Sequence, residues 1–340
     1  MKNLSCILFV FLSIFSCQEK LTNPGLEKFN LTGKTKNLPD GTVIYFVDIL
    51  TNQVFDSVSI LKNVFQLEKN LPVSPANIYL HTKDYGELKS FWAENEAMIF
   101  DASESSFSKA KISGSKTQTE FEPFMTQIDT INSDEKIEAL AMNFIRQYRD
   151  NRASASMLAG YAPNWDKTKV RDLFTGLSKE NKTSVYGLQI AKYIELNRKH
   201  EVGDQFTDFE MKNPHGTTLK LSQNLGRVTL LEFWASWCGP CRKQNPDLVK
   251  TYEKYKNAGF EIFSVSLDFS KDDWEKAIQK DRLTWKQVSD LKGRNSTGGI
   301  TYGVNTIPDN FLIDEHGNII AKYLWGEKLN DAIEEALGIK

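Results

Sequence analysis

Two cysteines separated by two residues, Cys238 and Cys241, have the spacing best suited to redox chemistry in this sequence. They follow a predicted strand over 227–234 and open a predicted helix over 240–257. Side chains at positions i and i+3 of a first helical turn face the same side and can form a disulfide. Unpaired N–H groups at the helix N-terminus stabilise a thiolate, which lowers the pKa of Cys238 from ~8.5 toward neutrality. We therefore expect an accessible Cys238 to attack a substrate and a shielded Cys241 to resolve the product.

A CxxC pair can also be half of a zinc site, which needs a second pair of ligands. Outside this pair the sequence has only Cys6 and Cys17, and its four histidines are not spaced like metal ligands. Four cysteines are also too few for a disulfide framework. We therefore expect no metal, and we expect the fold to depend on its own hydrophobic core.

The segment around the pair, LEFWASWCGPCR at 231–242, resembles the active site of the thioredoxin superfamily. The longer pattern is similar to the TlpA/ResA branch of envelope-anchored thiol-disulfide oxidoreductases, and the resemblance covers roughly residues 200–340. The supporting pieces are the Val202-Gly-Asp-Gln-Phe segment, a helix around Trp274, and Thr306-Ile-Pro308 before Phe311-Leu-Ile-Asp314. The resemblance implies a thioredoxin fold, no cofactor, and protein thiols and disulfides as partners.

The resemblance also assigns further site residues. In the superfamily the Ile-Pro bond is cis and packs against the CxxC, and the backbone before it pairs with a bound peptide, so Ile307 and Pro308 inherit these roles. Trp237, Gly239 and Pro240, which adjoin or separate the cysteines, are assigned to substrate binding. Pro240 also suits a first helical turn, where its missing N–H costs nothing.

A glutamate six residues before the first cysteine is the candidate proton carrier. Strand alternation places Val228, Leu230, Glu232 and Trp234 on one face, so the carboxylate has apolar neighbours, and desolvation raises its pKa. The superfamily places a buried acid here to move protons to and from the resolving thiol. Thioredoxin has a lysine opposite this acid, whereas we expect Ser266 here. The alternative is a structural glutamate paired with a lysine or arginine.

The N-terminus resembles an export signal. Lys2 precedes an apolar run over 4–15, which as a helix would reach roughly 18 Å and is too short for the ~30 Å hydrocarbon core. Ile14-Phe-Ser-Cys17 resembles a lipobox, which predicts a signal peptide over 1–16 and a lipidated Cys17. The mature chain would then be anchored through Cys17 in a bacterial cell envelope, on the periplasmic side. The alternative is ordinary cleavage that leaves Cys17 as a free thiol.

The chain after the signal divides into three predicted parts. Period-two alternation over 25–117 predicts an all-β, sandwich-like domain, helical spacing over 118–200 predicts a connecting helical segment, and β-α-β alternation over 201–340 predicts the α/β thioredoxin-like domain. The predicted strands of the first part are 29–33, 42–49, 53–60, 64–67, 76–82 and 97–102. The predicted helices of the second part are 119–131, 134–149, 167–177 and 182–197. In the third part we predict strands at 206–211, 218–221, 227–234, 261–267, 311–314 and 319–323, and helices at 240–257, 272–280 and 329–337.

Charge and motif content narrow the function. Forty-two lysines and arginines against 44 acidic residues give a net charge of −2, which disfavours nucleic acid as a partner. The leading hypothesis is a reductase of protein disulfides, because the Gly-Pro spacer between the cysteines is that of thioredoxin. The reduction potential of thioredoxin is near −270 mV, against about −120 mV for the oxidant DsbA. Such a reductase needs a membrane electron donor.

A peroxiredoxin-like peroxidase is an alternative, but its Pro-x-x-x-Thr-x-x-Cys pattern is absent, because Leu231 and Ala235 stand where the pattern has proline and threonine. A binding lipoprotein with an accessory thiol domain is the other alternative.

Overall fold

The computed structural model describes residues 28–339, which form two compact units that meet in sequence at Glu122 and Pro123. The predicted signal peptide over 1–16 and Cys17 lie outside the described residues. Within 28–339, none of the helices is both long and apolar enough to cross a membrane.

The first unit is built from two four-stranded sheets. Its strands are β1 (Phe29–Lys34), β2 (Val43–Asp48), β3 (Gln53–Ser59), β4 (Val64–Lys69), β5 (Ala76–Thr82), β6 (Leu88–Ala93), β7 (Ala97–Asp101) and β8 (Lys111–Ser113). The sheet orders are β4-β1-β7-β8 and β3-β2-β5-β6. Alternate residues of both sheets, such as Leu31, Phe46, Leu80 and Phe100, share one apolar core. The all-β, sandwich-like prediction is therefore confirmed.

Two strands of this unit were not predicted. In β6 the consecutive residues Phe91, Trp92 and Ala93 are all buried, so the strand lacks the alternation of a half-buried strand. The three-residue β8 is too short to carry a pattern. Both strands depend on pairing partners for their existence.

A helical segment follows the sheets. Its helices are α1 (Lys116–Ile128), α2 (Asp134–Gln147), α3 (Arg152–Tyr161), α4 (Lys167–Gly176), α5 (Lys179–Thr183) and α6 (Val185–Leu196). The sequence prediction missed α3, because the buried face of this helix includes small residues such as Ala153 and Ala155, which give a weak hydrophobic signal. The helix predicted over 182–197 begins later, since the Ser184 side chain caps α6 by accepting from the Gly187 N–H.

The part of the helical segment after Pro123 is hydrogen-bonded to the C-terminal part of the same unit. Lys192 Nζ donates to the Asn295 carbonyl at 3.1 Å, and Asn197 Nδ2 donates to the Ile300 carbonyl at 3.2 Å. Asn305 Nδ2, in the loop before Pro308, donates to a carbonyl of the helical segment at 2.8 Å. These bonds tie the helical segment to the C-terminal domain.

The C-terminal domain has a five-stranded central sheet. Its elements are β9 (Glu210–Lys212), β10 (Thr218–Lys220), β11 (Val228–Trp234), α7 (Gly239–Tyr255), β12 (Phe260–Ser266), α8 (Lys271–Asp281), β13 (Lys286–Val288), α9 (Thr297–Thr301), β14 (Asp309–Asp314), β15 (Ile319–Lys322) and α10 (Glu327–Leu337). The strand order is β13-β12-β11-β14-β15, with β11 parallel to β12 and antiparallel to β14. Separate apolar cores lie on the two faces, so β11 is buried throughout. This is the predicted thioredoxin fold.

The elements that were not predicted here are the short ones. The three residues of β13 are recruited by pairing with β12, and α9 contains two adjacent glycines, which are poor helix formers. The strand predicted over 206–211 is shortened to β9, and α10 begins two residues before the predicted start.

Candidate active site

Cys238 and Cys241 form a disulfide at the start of α7, with an S–S distance of 2.00 Å and Cα atoms 5.3 Å apart. Cys238 is the N-cap residue, and its Sγ accepts from the Cys241 N–H at 3.2 Å. The expected accessibility of Cys238 is not found in this disulfide form, because Cys238 is 4% exposed and Cys241 is 1% exposed. Both sulfurs belong to the apolar cluster that also contains Trp234 and Ile307. The pair therefore has the predicted position, with less exposure than the sequence implied.

The loop before Cys238 is held by a buried carboxylate that the sequence reasoning missed. Asp268, 1% exposed, accepts hydrogen bonds from the Ser236 N–H at 2.9 Å, from the Ser236 hydroxyl and from the Ser266 hydroxyl. On the other side, Arg242 Nη1 donates to the Ser236 carbonyl at 3.0 Å. Three groups of Ser236 are thus fixed. The position of a polar residue directly after the strand predicted over 261–267 was the only signal for Asp268.

Arg242 also joins α7 to the end of α8. Its guanidinium binds both carboxylate oxygens of Asp281, with Nη2 to Oδ1 at 2.7 Å, and Asn245 Nδ2 donates to the same carboxylate at 2.7 Å. Burial raises the pKa of Asp281, but the bonds from Arg242 and Asn245 outweigh it, so the pKa lies below its ordinary value. A bidentate pair of this kind fixes orientation as well as charge.

Glu232 lies inside the sheet, 7% exposed, beside a hydroxyl. Burial raises its pKa to about 7, although a hydrogen bond from Ser264 opposes this effect. Trp285 Nε1 donates to Ser264 Oγ at 2.7 Å, and Ser264 Oγ donates in turn to Glu232 Oε2. Because the indole can only donate, it directs the Ser264 proton toward the carboxylate.

The expectation that Ser266 faces Glu232 is wrong. In the register of β11 and β12, Glu232 lies opposite Ser264, whereas Ser266 lies opposite Trp234 and bonds to Asp268. None of the ion pairs in the described part of the chain includes Glu232, which speaks against the alternative of a glutamate paired with a lysine or arginine. No pattern in the sequence indicated the Trp285 contact.

A small cavity adjoins Glu232 on the face covered by α7 and α10. It has a volume of about 170 Å³, and its walls include Glu232, Thr251, Asn310 and Trp325. Asn310 lies opposite Glu232 on β14 and bonds through its amide to both backbone groups of Leu324. A cavity of this size with several polar groups among its apolar walls can hold water, and such water gives protons a route to the buried carboxylate.

The Ile307–Pro308 peptide bond is cis, as the resemblance implied. Both residues are half-buried, and Ile307 packs against the cluster that contains the disulfide. Within residues 28–339, none of the backbone hydrogen bonds uses the N–H or C=O of Ile307. The next residue, Asp309, is buried, which raises its pKa to about 6. The loop thus presents open backbone groups beside the disulfide.

The other predicted binding residues form the exposed side of the site. Trp237 is 55% exposed, and Gly239 and Pro240 are exposed at the first turn of α7. The site is therefore a buried disulfide with an exposed rim, a half-buried cis-proline loop and a buried acid.

A dithiol motif at the start of the helix after the central strand, with a cis-proline loop beside it, places the protein in the thioredoxin superfamily. Residues 202–322 match the AhpC/TSA family, and residues 29–121 match a domain of unknown function, DUF4369.

The particular family follows from individual relatives. The chain is 30% identical over 145 residues to the thiol-disulfide oxidoreductase ResA of Bacillus cereus, which covers 43% of this chain and 82% of that protein. It is 30% identical over 124 residues to ResA of Halalkalibacterium halodurans, covering 36% and 69%. The chain therefore belongs to the family of ResA-like thiol-disulfide oxidoreductases.

Solved structures similar to the chain carry related names. One is a thiol-disulfide oxidoreductase from Bacteroides fragilis, at 36% identity, covering 39% of this chain and 98% of that one with a TM-score of 0.37. Another is the thioredoxin domain of a thiol-disulfide oxidoreductase from Bacteroides vulgatus, at 33% identity, covering 40% and 98% with a TM-score of 0.38.

Proposed function

We propose that the protein is an envelope-anchored reductase of protein disulfides that works through the Cys238–Cys241 couple. The observation that carries the proposal is the disulfide at the N-terminus of α7, in one apolar cluster with the cis-proline loop and on the sheet face that also holds Glu232. Two sulfurs at this spacing can alternate between a dithiol and a disulfide without moving the backbone far.

The reaction begins from the reduced pair. The Cys238 thiolate attacks one sulfur of a substrate disulfide, a mixed disulfide forms, and the first substrate thiolate leaves. The Cys241 thiolate then attacks Cys238 Sγ, which forms the internal disulfide and releases the second substrate thiolate. Two electrons pass to the substrate, and the enzyme ends in the state that the structure contains. A membrane electron donor must return two electrons for the next cycle.

Glu232 serves the second step. A carboxylate whose pKa is raised to about 7 can accept a proton near neutral pH, and the Cys241 thiol must lose a proton before it attacks. The Ser264 hydrogen bond fixes the orientation of the acid, and the adjoining cavity supplies water for exchange with solvent. Glu232 is thus proposed as the proton acceptor and donor of the couple.

The exposed rim of the site is proposed to bind the substrate. The open backbone groups of Ile307 can pair with an extended segment of a substrate protein, as an added strand does. Trp237, Gly239 and Pro240 lie beside the sulfurs on the exposed side. Partners are therefore proposed to be proteins of the envelope with disulfides in extended segments.

Anchoring is proposed to occur through Cys17. The lipobox-like sequence at 14–17 supports a lipidated N-terminus, with the catalytic domain held at the membrane surface on the periplasmic side. Mass spectrometry of the N-terminal peptide of the native protein tests this, since Cys17 is expected to carry acyl chains. An unmodified Cys17 at a cleaved N-terminus would contradict it.

Trapping of mixed disulfides tests the reaction. Cys241→Ser should accumulate covalent complexes with substrate proteins on a non-reducing gel in the native cell, because the second step cannot occur. Cys238→Ser should trap few or none, since it lacks the attacking sulfur. Equal trapping by both variants, or none by either in cells where the protein is abundant, would contradict the proposal.

A second candidate function, binding by the N-terminal domain, is favoured by one observation: residues 29–121 match a domain family of their own. Removal of residues 28–115 keeps the helical segment that bonds to the C-terminal domain. If the N-terminal domain selects partners, this variant should reduce a small disulfide at the normal rate but trap different proteins. An unchanged set of trapped proteins would leave the N-terminal domain without a role in selection.

A further inference from the structure

Two exposed aromatic side chains stand at a groove beside the disulfide. Trp237 is 55% exposed and Phe269 is 69% exposed, although large aromatic residues are usually buried. Both line a groove of about 460 Å³ that runs from the loop before Cys238 to the outer face of α8. Trp237 has a role in the proposed function, whereas Phe269 has none so far.

Phe269 is held in place despite its exposure. One side of its ring lies directly on the backbone of Gly293, where a Cβ atom would come within 2.0 Å of Phe269 Cζ. Gly293 also has a φ of +56°, a conformation that favours glycine. The Gly293 N–H donates to the Asp268 carbonyl at 3.3 Å. The Phe269 ring therefore packs against Gly293 on one side and is exposed to the groove on the other.

The loop that carries Phe269 is joined to the redox site. The neighbouring Asp268 holds Ser236, two residues before Cys238, and the Leu267 N–H donates to the Trp234 carbonyl at 2.8 Å. Phe269 thus follows directly the residue that fixes the active-site loop. Its position relative to the loop is set by backbone and buried carboxylate contacts.

The α8 wall of the groove carries lysines. Lys276 and Lys280 are exposed one turn apart, and in the part of the chain that the structure describes neither forms an ion pair. The other cation of the groove, Arg242, forms an ion pair with Asp281, and the buried Asp268 accepts hydrogen bonds from Ser236. Asp273 is the remaining acid of the groove. Among the exposed charged groups of the groove, two lysines therefore stand next to the aromatic wall against the single carboxylate of Asp273.

We infer that Phe269 is a specificity-determining residue, which together with Trp237 and the lysines of α8 binds the substrate segment beside its reactive cysteine. The inference rests on the proposed function. The segment that fits has an aromatic or large aliphatic side chain next to the cysteine, which packs between the two rings, and carboxylates beyond it, which face Lys276 and Lys280.

Single-turnover reduction of synthetic peptides tests this inference. The reduced full-length protein is mixed with a peptide whose single cysteine forms a mixed disulfide with the amino acid cysteine. The reduced peptide is quantified after an acid quench. Three peptides are compared, in which the reactive cysteine is followed by phenylalanine and two glutamates, by alanine and two glutamates, or by phenylalanine and two lysines. The first should react about tenfold faster than the second, a difference typical of one aromatic contact.

Variants distinguish the contribution of Phe269 to peptide preference from the disulfide-exchange reaction itself. Phe269→Ala should abolish the preference for phenylalanine over alanine, and Phe269→Tyr should keep it. Gly293→Val should act like Phe269→Ala, because its side chain displaces the ring. Lys276→Glu combined with Lys280→Glu should reverse the preference between glutamates and lysines. Leu188→Ala, at an exposed apolar position on α6, is the control and should keep every rate.

The outcomes distinguish the inference from the proposed function. Equal rates for the three peptides with the unmodified protein, or a preference that survives Phe269→Ala, would overturn the inference and leave the reductase intact. Failure to reduce any of the peptides would overturn both.

Discussion

Replacement of Glu232 by glutamine removes the buried carboxylate on the sheet face that also carries the disulfide. Glutamine keeps the size of the side chain and can still accept from Ser264, but it cannot ionise. The change therefore removes a titrating group from the core of the C-terminal domain. Two quantities should respond, the pH dependence of stability and the rate at which mixed disulfides are resolved.

The stability effect has a defined sign. The pKa of Glu232 is raised from 4.5 to about 7 in the folded protein, so the folded state favours the protonated acid. Below pH 4.5 folded and unfolded states are both protonated and no penalty arises. As the pH rises from 4.5 through 7, ionisation favours the unfolded state, and stability is lost. Linkage gives a loss of roughly 2–3 kcal/mol between pH 5 and pH 8, which Glu232→Gln should remove.

Denaturant unfolding of the oxidised protein measures this loss, because the cysteines do not titrate in the disulfide. Six of the seven tryptophans lie after Pro123, so tryptophan fluorescence follows mainly the unit that contains Glu232. The free energy of unfolding of the unmodified protein should fall between pH 5 and pH 8 relative to that of Glu232→Gln. Glu210→Gln, at an exposed position on β9, is the control and should track the unmodified protein.

The kinetic effect should exceed the effect on stability. With glutamine in place of the carboxylate, the Cys241 thiol loses its proton acceptor, and resolution of a mixed disulfide should slow by about 100-fold at pH 8. Rapid-quench detection of the mixed disulfide measures this step. An equal pH dependence of stability in Glu232→Gln and the unmodified protein would refute the raised pKa, and unaltered exchange kinetics would reduce Glu232 to a structural residue.

Two further predictions concern the same site. Ser264→Ala removes the hydrogen bond that lowers the pKa of Glu232, so the pH at which mixed-disulfide resolution becomes fast should move above about 7; a profile that stays in place would show that Ser264 does not act on Glu232. In the reduced protein, thiolate absorbance should titrate first at Cys238, well below the ~8.5 of a free thiol, because its Sγ lies at the N-terminus of α7. Absorbance that titrates only at pH 8.5 or above would remove the helix-dipole argument.

Local pattern was sufficient for the main features of the site. The junction of a strand and a helix placed Cys238 and Cys241 at a helix N-terminus, and alternation along β11 placed Glu232 among apolar side chains. Resemblance supplied the cis bond before Pro308. These features depend on neighbours within a few residues along the chain, or on a motif, and are therefore readable from the sequence.

Other features depend on contacts between distant segments. The residue opposite Glu232 is Ser264 rather than Ser266, because the register of two parallel strands is set by the whole sheet and not by either strand alone. The same holds for short elements such as β13 and for the helix α3. Their local sequence signals are weak, and they are stabilised by the elements against which they pair or pack.

The sequence by itself determined the fold class, the dithiol motif and the acid beside it, because periodicity and spacing act over short distances. Only the tertiary structure decided that Asp268 holds the active-site loop, that Trp285 orients Ser264, and that Phe269 rests on Gly293. Each of these contacts joins residues between 21 and 32 positions apart, and each follows from how the strands and loops pack after the chain has folded.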